Sequence, residues 1–434
     1  MNILFISKNG LGANIAYILK KEGHSVKLFI QSRTSSGIFD NLVEKTRNWK
    51  KELHWLTKNG LIVFDDSGFG KVQDGLRQKG YLVFGGSEEA DKIEYDRQYT
   101  EQIFREHNIE FFPTKTFNNV IEAAEYASIN PNMWVIKREK DNNKFVSYVG
   151  YDKYGKDVVG LLKNYAHIPK INRQPVSLQE RIIGVEVGVG RYFNGQDWVG
   201  PIEINVEHPH LFPGGIGPYT SEMGTLAWYT NEENNKLYTE TLKKLEGYLK
   251  SINFKGDFAI NCIVNEHGIH ALELTPRLGS PIVHLHSELH ETSWGDIFYK
   301  VASGQNCDFK YKKGFGIVML ISVPPFPYSH QFKIDMTYGL QISLDELSNE
   351  EKNHIHFEEI SKRMIGEKED YYIADHDGYV MYVTAVASTI KEANMRANKI
   401  AAKIKIPKSF YRNDIGLKFE NEDFQKLKDW GYLK

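Results

Sequence analysis

The sequence predicts a multi-domain protein of mixed α/β and α+β class, and three stretches carry that expectation. Strands and helices alternate over roughly the first ninety residues, the pattern of a doubly wound parallel sheet. A β-hairpin with one polar face runs from Gly256 to Pro281, GDFAINCIVNEHGIHALELTPRLGSP. Beyond Gly304 the pattern restarts, with several strands ahead of one long helix. A chain of 434 residues has room for two or three such domains.

In order, Asn2 to Ile6 reads as a short buried strand, Ser7 to Gly12 as a loop, and Ala13 to Glu22 as a helix closing at Gly23. Further strands are expected at Val26 to Ile30, Leu61 to Phe64 and Tyr81 to Phe84, with helical material near Trp49 to Thr57. Gly10-x-Gly12 is a fragment of a dinucleotide fingerprint, without the third glycine or an acidic residue at the expected distance. It reads as a tight strand-to-helix turn, at the carboxyl end of a strand where open sheets of this kind place ligands. Glu88 to His107 reads as one helix. A small α+β lid follows, with strands at Thr114 to Phe117, Met133 to Lys137 and Ser147 to Val149, helices at Val120 to Ser128 and Lys156 to Tyr165, and a polar loop from Arg138 to Lys144. Val176 to Glu180 begins another strand, and Val185 to Phe193 pairs with Trp198 to Glu203 across the turn Asn194-Gly195. His208 to Tyr219, rich in Gly and Pro and closing on Thr220 to Thr225, reads as a binding loop. Asn231 to Ser251 reads as an amphipathic helix. Strands are expected at Gly316 to Val323, Tyr371 to Ala374 and Val380 to Ala387, and a helix at Ile390 to Ile404.

The hairpin carries the chemistry. Asp257, Ala259 and Asn261 alternate with Phe258, Ile260, Cys262 and Val264, which is a strand with one polar side. Asn265 to Gly268 is turn chemistry, with Gly268 free to take positive φ. On the return arm Glu273 and Thr275 share a face, and Arg277 follows at once. Two oxygen ligands beside a guanidinium suit a Mg-nucleotide, since oxygen donors hold the ion while arginine binds phosphate or acyl-phosphate oxygens. An odd-numbered loop puts Asp257 opposite Thr275; a slip of one residue turns it to the other face.

Composition narrows the function. With 41% hydrophobic and 25% charged residues the chain is of soluble globular type, and a net charge of -2 gives no footprint for nucleic acid or membrane. Two cysteines, Cys262 and Cys307, argue against a disulfide framework and fit a reducing compartment. No apolar run is long enough for a signal segment or a span, so a cytoplasmic location is expected.

Three separated motifs occur in one order: Glu273-x-Thr275-x-Arg277-x-Gly279-x-Pro281, Gly217-Pro218-x-Thr220-x-x-Met223-Gly224, and Val383-Thr384-Ala385 with Tyr411-Arg412-x-Asp414-Ile415-Gly416. With these the chain resembles, over nearly its whole length, the glycinamide ribonucleotide synthetases (phosphoribosylamine–glycine ligases) of the ATP-grasp superfamily. The resemblance implies an ATP-grasp fold with a Rossmann-like N-terminal domain (1–92), an ATP-grasp region (93–305) that includes a lid (114–177), and a C-terminal domain (306–434). It implies ATP with Mg2+ or Mn2+, small-molecule carboxylate and amine substrates, and a monomer or homodimer. Arg97 stands where the family usually has a phosphate-binding lysine, and Lys137 matches the lysine that reaches the ATP phosphates. Gln179, Glu180 and Ile182 match the hinge whose backbone reads adenine, and Glu186 the carboxylate on the ribose hydroxyls. Glu273 is the expected main metal ligand, with Thr275 and Asp257 as further candidates, and Arg277 the catalytic group that stabilises acyl-phosphate oxygens. Gly10, Asp65, Thr220, Glu222, Arg277 and Gly279 are the candidate substrate-binding residues.

The departures from the family are concentrated. Its Gly-Gly-Arg-Glu-His-Ala loop is replaced by Asn9-Gly10-Leu11-Gly12-Ala13-Asn14, and its Gly-Pro-Glu by Asp65-Asp66-Ser67. The glycine-rich lid loop is replaced by Lys140-Asp141-Asn142-Asn143-Lys144, with Lys144 as a candidate point charge. The second metal ligand, normally asparagine, is Thr275, and Ser221-Glu222 replaces two glycines. The expectation is a ligase that activates glycine or another small carboxylate and joins it to an amine other than phosphoribosylamine, with Asp65, Asp66 and Glu222 favouring a cationic or neutral partner. A true phosphoribosylamine–glycine ligase and a catalytically inactive nucleotide-binding partner protein are the alternatives.

Overall fold

The computed structural model describes residues 1–137, 147–328 and 337–434. The polar loop expected at Arg138 to Lys144 lies outside the described residues. By internal contacts the chain divides into two units, one of residues 1–94, 186–261 and 273–434, the other of residues 95–185 and 262–272. Among the described residues no helix is long and apolar enough to cross a membrane.

The first unit opens with a five-stranded parallel sheet in the order Glu44–Lys45, Ser25–Ile30, Asn2–Ser7, Leu61–Phe64, Leu82–Phe84. Ile3, Leu4, Phe5 and Ile6 are all fully buried, as a parallel strand covered on both faces requires. The helix Gly70–Gln78 between the last two strands is absent from the sequence expectation, because GKVQDGLRQ has too few apolar residues to show a helical period. Its first residue must be small: a Cβ at Gly70 would lie 2.1 Å from the Ser87 carbonyl oxygen. Trp49 to Thr57 contracts to the helix Leu53–Leu56.

A nine-stranded sheet holds most of the remaining unit. Its order is Gly268–Thr275, Lys255–Asn265, Val185–Asn194, Trp198–Glu207, Gly224–Thr230, Phe315–Ser322, Tyr379–Ala387, Ile355–Phe357, with Phe410–Tyr411 beside Phe315–Ser322. The strand Gly224–Thr230 corrects the sequence reading, which placed its start in a loop. It pairs antiparallel with both Trp198–Glu207 and Phe315–Ser322, so the sheet runs unbroken from the middle of the chain into its last third. The Gly/Pro-rich stretch before it folds as a small ribbon, His210–Phe212 against Ile216–Tyr219. The turn of the hairpin is also tighter than expected: Gly268 begins the return strand and is not among the glycines with positive φ.

Asn231 to Ser251 is not one helix but three short pieces, Lys236–Thr239, Leu242–Leu245 and Glu246–Ser251. Thr241 lies at the break, where its hydroxyl donates to the Leu237 carbonyl, a side-chain bond that competes with the helical ladder. The single helix expected from Glu88 to His107 is likewise two, Glu88–Tyr95 and Arg97–Glu106. Asp96 takes an extended conformation and caps the second, its Oδ1 accepting from the Tyr99 N–H at 3.0 Å.

The second unit is built on a four-stranded antiparallel sheet in the order Lys115–Phe117, Val176–Glu180, Trp134–Lys137, Tyr148–Val149. Helices Val120–Ile129 and Lys156–Ala166 complete its core, in which Ala127, Ile136, Val158, Leu162 and Leu178 are fully buried.

In the first unit, Asn14 and Tyr17 tie the helix Ala13–Lys21 to the C-terminal segment, Tyr17 by stacking on Phe357. Asn14, 2% exposed, accepts the Phe357 N–H at 3.0 Å and approaches His356 Nδ1 at 3.2 Å through its amide nitrogen. Asn14→Ala leaves the Phe357 donor without a partner and is expected to destabilise the chain by about 1–3 kcal/mol. Denaturant unfolding of the variant beside the wild type checks this.

Candidate active site

One face of the large sheet is the floor of a cavity of about 380 Å³ in the first unit. The floor follows from strand periodicity. On Lys255–Asn265 the residues Asp257, Ala259 and Asn261 line the cavity, while Phe258, Ile260 and Cys262 are buried in the core behind. Glu273 and Thr275 line it from the return arm, so the hairpin presents Asp257, Asn261, Glu273 and Thr275 to the same space. Trp198–Glu207 contributes Glu203, Asn205 and Glu207, with Ile202, Ile204 and Val206 packed on the opposite side. Opposite these, Val185–Asn194 supplies glycines. Gly188 pairs with Asn205 and Gly190 with Glu203, and a Cβ at Gly188 would sit 2.2 Å from Asn205 Oδ1. The two glycines make room for the polar side chains.

Arg277 lines the rim, its Nε 3.6 Å from Asp66 Oδ1 and an Nη 3.7 Å from Glu94 Oε1. Gly279, Ser280 and Pro281 continue that side. The other walls come from distant parts of the chain: Asn9 and Leu11 from the first loop, Ser221 and Glu222 from the loop before Gly224, and Glu358, Glu359, Asp375, Asp377, Tyr379 and Tyr382 from the C-terminal segment.

Negative charge dominates this space. Burial pushes Glu207 up to about 8, with Glu186 and Glu273 adding to the shift and the Asn261 amide and Arg277 opposing it. The Asn261 amide donates to Glu207 Oε1 at 3.0 Å. Burial and then Glu207 raise Glu222 well above the usual range, against a hydrogen bond from the Thr225 hydroxyl. Burial lifts Asp257 to about 7; His286 opposes this and Glu203 adds to it. His286 is hydrogen-bonded through Nε2 to Glu203 Oε2, and that carboxylate raises its pKa against the effect of burial.

The structure places the remaining sequence candidates as follows. Asp65 is turned away from the cavity: it is fully buried, and its Oδ2 accepts the Gly12 N–H at 2.8 Å. It therefore fixes the first strand-to-helix turn, and its neighbour Asp66 is the one that faces Arg277. Gly10, at φ +104°, does not line the cavity and donates its N–H to Ser7 Oγ at 2.7 Å. Thr220 is also outside the lining, its N–H and hydroxyl both donating to the Pro209 carbonyl at 2.8 Å. In the second unit, Lys137 pairs with Ser177 and Gln179 with Val135, which puts Lys137 and Gln179 on one face of the sheet. The Gln179 amide donates to the Phe112 carbonyl at 2.5 Å. Glu180 is exposed, Ile182 is buried, and Arg97 is half-buried at the start of its helix. Glu186 belongs to the first unit and is exposed, and its charge reaches Glu207 and Glu222.

Sequence reasoning missed Glu203, Asn205, Glu207 and the C-terminal carboxylates. For the first three the signal was present, since Glu203-x-Asn205-x-Glu207 continues the alternation past the expected end of the strand. Among the described residues no group of three or more His, Cys, Asp or Glu is arranged to hold a metal ion unaided.

No family model matches the sequence. The phosphoribosylamine–glycine ligase of Helicobacter pylori strain J99 is 24% identical over 356 residues, which span 79% of this chain and 78% of that one. The crystal structure of phosphoribosylamine–glycine ligase from Thermotoga maritima superposes with a TM-score of 0.70 at 17% identity, covering 96% of this chain and 100% of that one. The biotin carboxylase domain of Hydrogenobacter thermophilus 2-oxoglutarate carboxylase, solved with MgADP, ADP and bicarbonate, gives a TM-score of 0.66 at 11% identity, covering 99% and 97%. The fold is the ATP-grasp fold.

The titration of Glu207 sets a pH dependence. Its folded pKa, about 8, exceeds the ordinary 4.5, so between those values the folded state keeps a proton that the unfolded chain has released. Stability therefore falls as pH rises through that window, by up to about 1.4 kcal/mol per pH unit for one group. Glu207→Gln is expected to flatten the decline, measured by urea unfolding in chelator-treated buffer across that same window.

Proposed function

We propose that this chain, which is a divergent member of the phosphoribosylamine–glycine ligase family, is an ATP-dependent ligase that joins glycine or another small carboxylate to an amine other than phosphoribosylamine. The observation that carries the reading is the cavity floored by Glu273, Thr275, Asp257 and Asn261, with Arg277 at its rim. The donors fit a Mg-nucleotide. All are hard oxygens, and Mg2+ is commonly bound by one or two carboxylates together with substrate phosphates rather than by a protein cage. Glu207 is raised chiefly by burial, with Glu186 and Glu273 adding to the shift, and positive charge bound beside Glu273 would oppose it. Glu273, assisted by Thr275 and Asp257, would hold the ion. When bound, it supplies charge neutralisation for the phosphates.

In the reaction, the substrate carboxylate oxygen attacks the γ-phosphorus of ATP and ADP departs, leaving an acyl phosphate. The amine, having lost its ammonium proton, attacks the acyl carbon; the bond from carbon to the phosphate oxygen breaks, inorganic phosphate leaves, and the nitrogen sheds a second proton to become an amide. Such chemistry asks for positioning and charge stabilisation more than covalent help. Arg277 provides the fixed positive charge for the carboxylate and then the acyl-phosphate oxygens. On the second unit, Lys137 and Arg97 serve the ATP phosphates and Gln179, Glu180 and Ile182 the adenine, while Glu186 serves the ribose.

The change of acceptor is supported by what stands in place of the family's first loop. Asn14 is committed to Phe357 and His356, and Asn9 and Leu11, which line the cavity, offer no positive charge for a sugar phosphate. ADP release measured with ATP, Mg2+ and panels of carboxylates and amines tests the reading. Turnover with phosphoribosylamine and glycine would instead mark a true phosphoribosylamine–glycine ligase, and nucleotide binding without turnover a protein that has lost the activity.

Two substitutions probe the assignments. Glu273→Ala is expected to abolish Mg-dependent ADP release, and wild-type turnover would remove Glu273 from the metal site. Lys137→Ala is expected to weaken nucleotide binding by about 1.5–3 kcal/mol, the range for a hydrogen bond to a charged group, read as a shift in Kd by calorimetry.

A further inference from the structure

Resting on the ligase reading, we infer that Glu358, backed by His284, is the general base of the second half-reaction: its carboxylate takes the ammonium proton of the acceptor amine and frees the nitrogen to attack. Glu358 stands in the turn between the strands Ile355–Phe357 and Ile360–Ile365 and lines the cavity. Its N–H donates to the Val380 carbonyl at 3.1 Å, which fixes the turn. His284 comes from the helix Ile282–Leu289, which begins directly after the side of the cavity formed by Arg277, Gly279, Ser280 and Pro281.

The carboxyl lies between the cavity and a buried imidazole. His284 Nε2 is 3.4 Å from Glu358 Oε2. That oxygen is sealed from solvent without a hydrogen bond; Oε1 is not sealed in this way, and the side chain keeps 13% exposure, so Oε1 is the oxygen left for the cavity. His284 is fully buried, and neither ring nitrogen has a hydrogen-bond partner. Tyr382, another lining residue, stacks on the ring with centroids 4.4 Å apart and planes at 23°, and holds its orientation. A buried imidazole kept only for structure is expected to have its hydrogen bonds made, because leaving them unmade is costly. Catalytic hydrogen bonds, in contrast, are often long before substrate binds and tighten with it. An imidazole also suits a carboxyl that changes state, since Nε2 donates to the carboxylate in one tautomer and accepts from the acid in the other.

The neighbouring carboxyls are engaged elsewhere. The Asn261 amide donates to Glu207, the Thr225 hydroxyl to Glu222, and the Gly378 N–H to Glu359. Bonds of this kind favour the charged form and so weaken a base. Glu358 is raised well above the ordinary carboxyl range, by burial first and then by Glu359, Asp65 and Asp375. The groups that face the pair do not reverse this. Burial keeps His284 well below its usual value, with His356 and His286 adding to the fall, and it raises Tyr379 and Tyr382. A base works best with its pKa near the working pH, which a raised carboxyl approaches and an ordinary one does not.

The protons balance. The first passes from the ammonium nitrogen to Glu358 Oε1, and the freed lone pair forms the bond to the acyl carbon. The electron pair of the breaking carbon–oxygen bond goes to the phosphate, which takes the second proton from nitrogen as the amide forms. Glu358 returns the first proton to solvent when the products leave.

The test uses the full chain with ATP, Mg2+ and the carboxylate that best supports turnover. Methylamine and ethanolamine arrive as ammonium ions and need a base; hydroxylamine is mostly neutral near neutrality and does not. Its hydroxamate therefore reports the acyl phosphate, and with it the ligase reading, without the base. Glu358→Gln, close in shape to the wild type, is expected to lower kcat for both amines by about 100-fold or more, the usual worth of a general base. Hydroxamate formation and the calorimetric Kd for ATP are expected to be retained. In the same variant kcat/KM for methylamine should climb by about tenfold per pH unit, as the free amine does, while the wild type shows no such climb. Should Glu358→Gln not fold, Glu358→Asp carries the same comparison of amine with hydroxylamine, with a smaller loss expected. His284→Phe, which keeps a ring on Tyr382, is expected to slow the amines and spare the hydroxamate. An equal loss with amines and hydroxylamine, or wild-type amine turnover in Glu358→Gln, overturns the inference and leaves the ligase reading standing. Turnover of hydroxylamine with neither amine accepted overturns it too, since the base would then have no proton to take. Absence of hydroxamate with every carboxylate overturns the ligase reading itself.

Discussion

The two-sidedness of the large sheet is the constraint on which the site depends. In a β-strand successive side chains point to opposite faces, so the apolar alternation that builds the core behind the sheet dictates which residues stand in front. Phe258, Ile260 and Cys262 bury one side of Lys255–Asn265, and this leaves Asp257, Ala259 and Asn261 no choice of face. The same holds for Ile202, Ile204 and Val206 against Glu203, Asn205 and Glu207. A shift of register by one residue would bury carboxylates in the core, at a cost far above that of any single hydrogen bond.

This constraint concentrates carboxylates on one surface, and burial then makes their charge expensive. The responses differ by position. Glu203 is hydrogen-bonded to His286; Glu207 leans on the Asn261 amide; Glu222 takes a hydrogen bond from Thr225. None of these supplies as much as a cation in the cavity would, and Glu207, Glu222, Asp257, Glu358 and Glu359 all remain raised. Perturbed carboxyls gathered in one cleft are a recurrent mark of functional sites, where burial and like-charge neighbours are arranged to shift titration.

The legible part of the molecule was that in which local pattern and final placement agree. Four of the five parallel strands of the first ninety residues read correctly because each is a short apolar run between turn signals, while Glu44–Lys45, two charged residues, gave no such signal. The hairpin Lys255–Asn265 with Gly268–Thr275 read correctly because its two faces differ so sharply in polarity. What escaped was of two kinds. Gly224–Thr230 lies directly after a stretch dense in Gly and Pro, whose turn chemistry masked the strand start, and Thr241 interrupts an otherwise helical pattern through one side-chain hydrogen bond. The acidic wall could not be read at all, since Glu358, Glu359, Asp375 and Asp377 sit in turns whose exposure is decided by tertiary packing and not by any periodicity.

Asp65 and Asp66 show why composition alone misplaces function. In sequence they are one doubled charge, and either could face a substrate. In the fold the strand Leu61–Phe64 ends immediately before them, and the backbone leaves the sheet there. Asp65 turns inward to the Gly12 N–H, where a glycine is required because a Cβ would lie 2.8 Å from the Asp65 Cβ. Asp66 turns toward Arg277. One carboxylate thus holds the loop that carries Asn9 and Leu11 to the cavity, and the other restrains the guanidinium at its rim. The same pair of residues sets the shape of the site on one side and the orientation of its cation on the other.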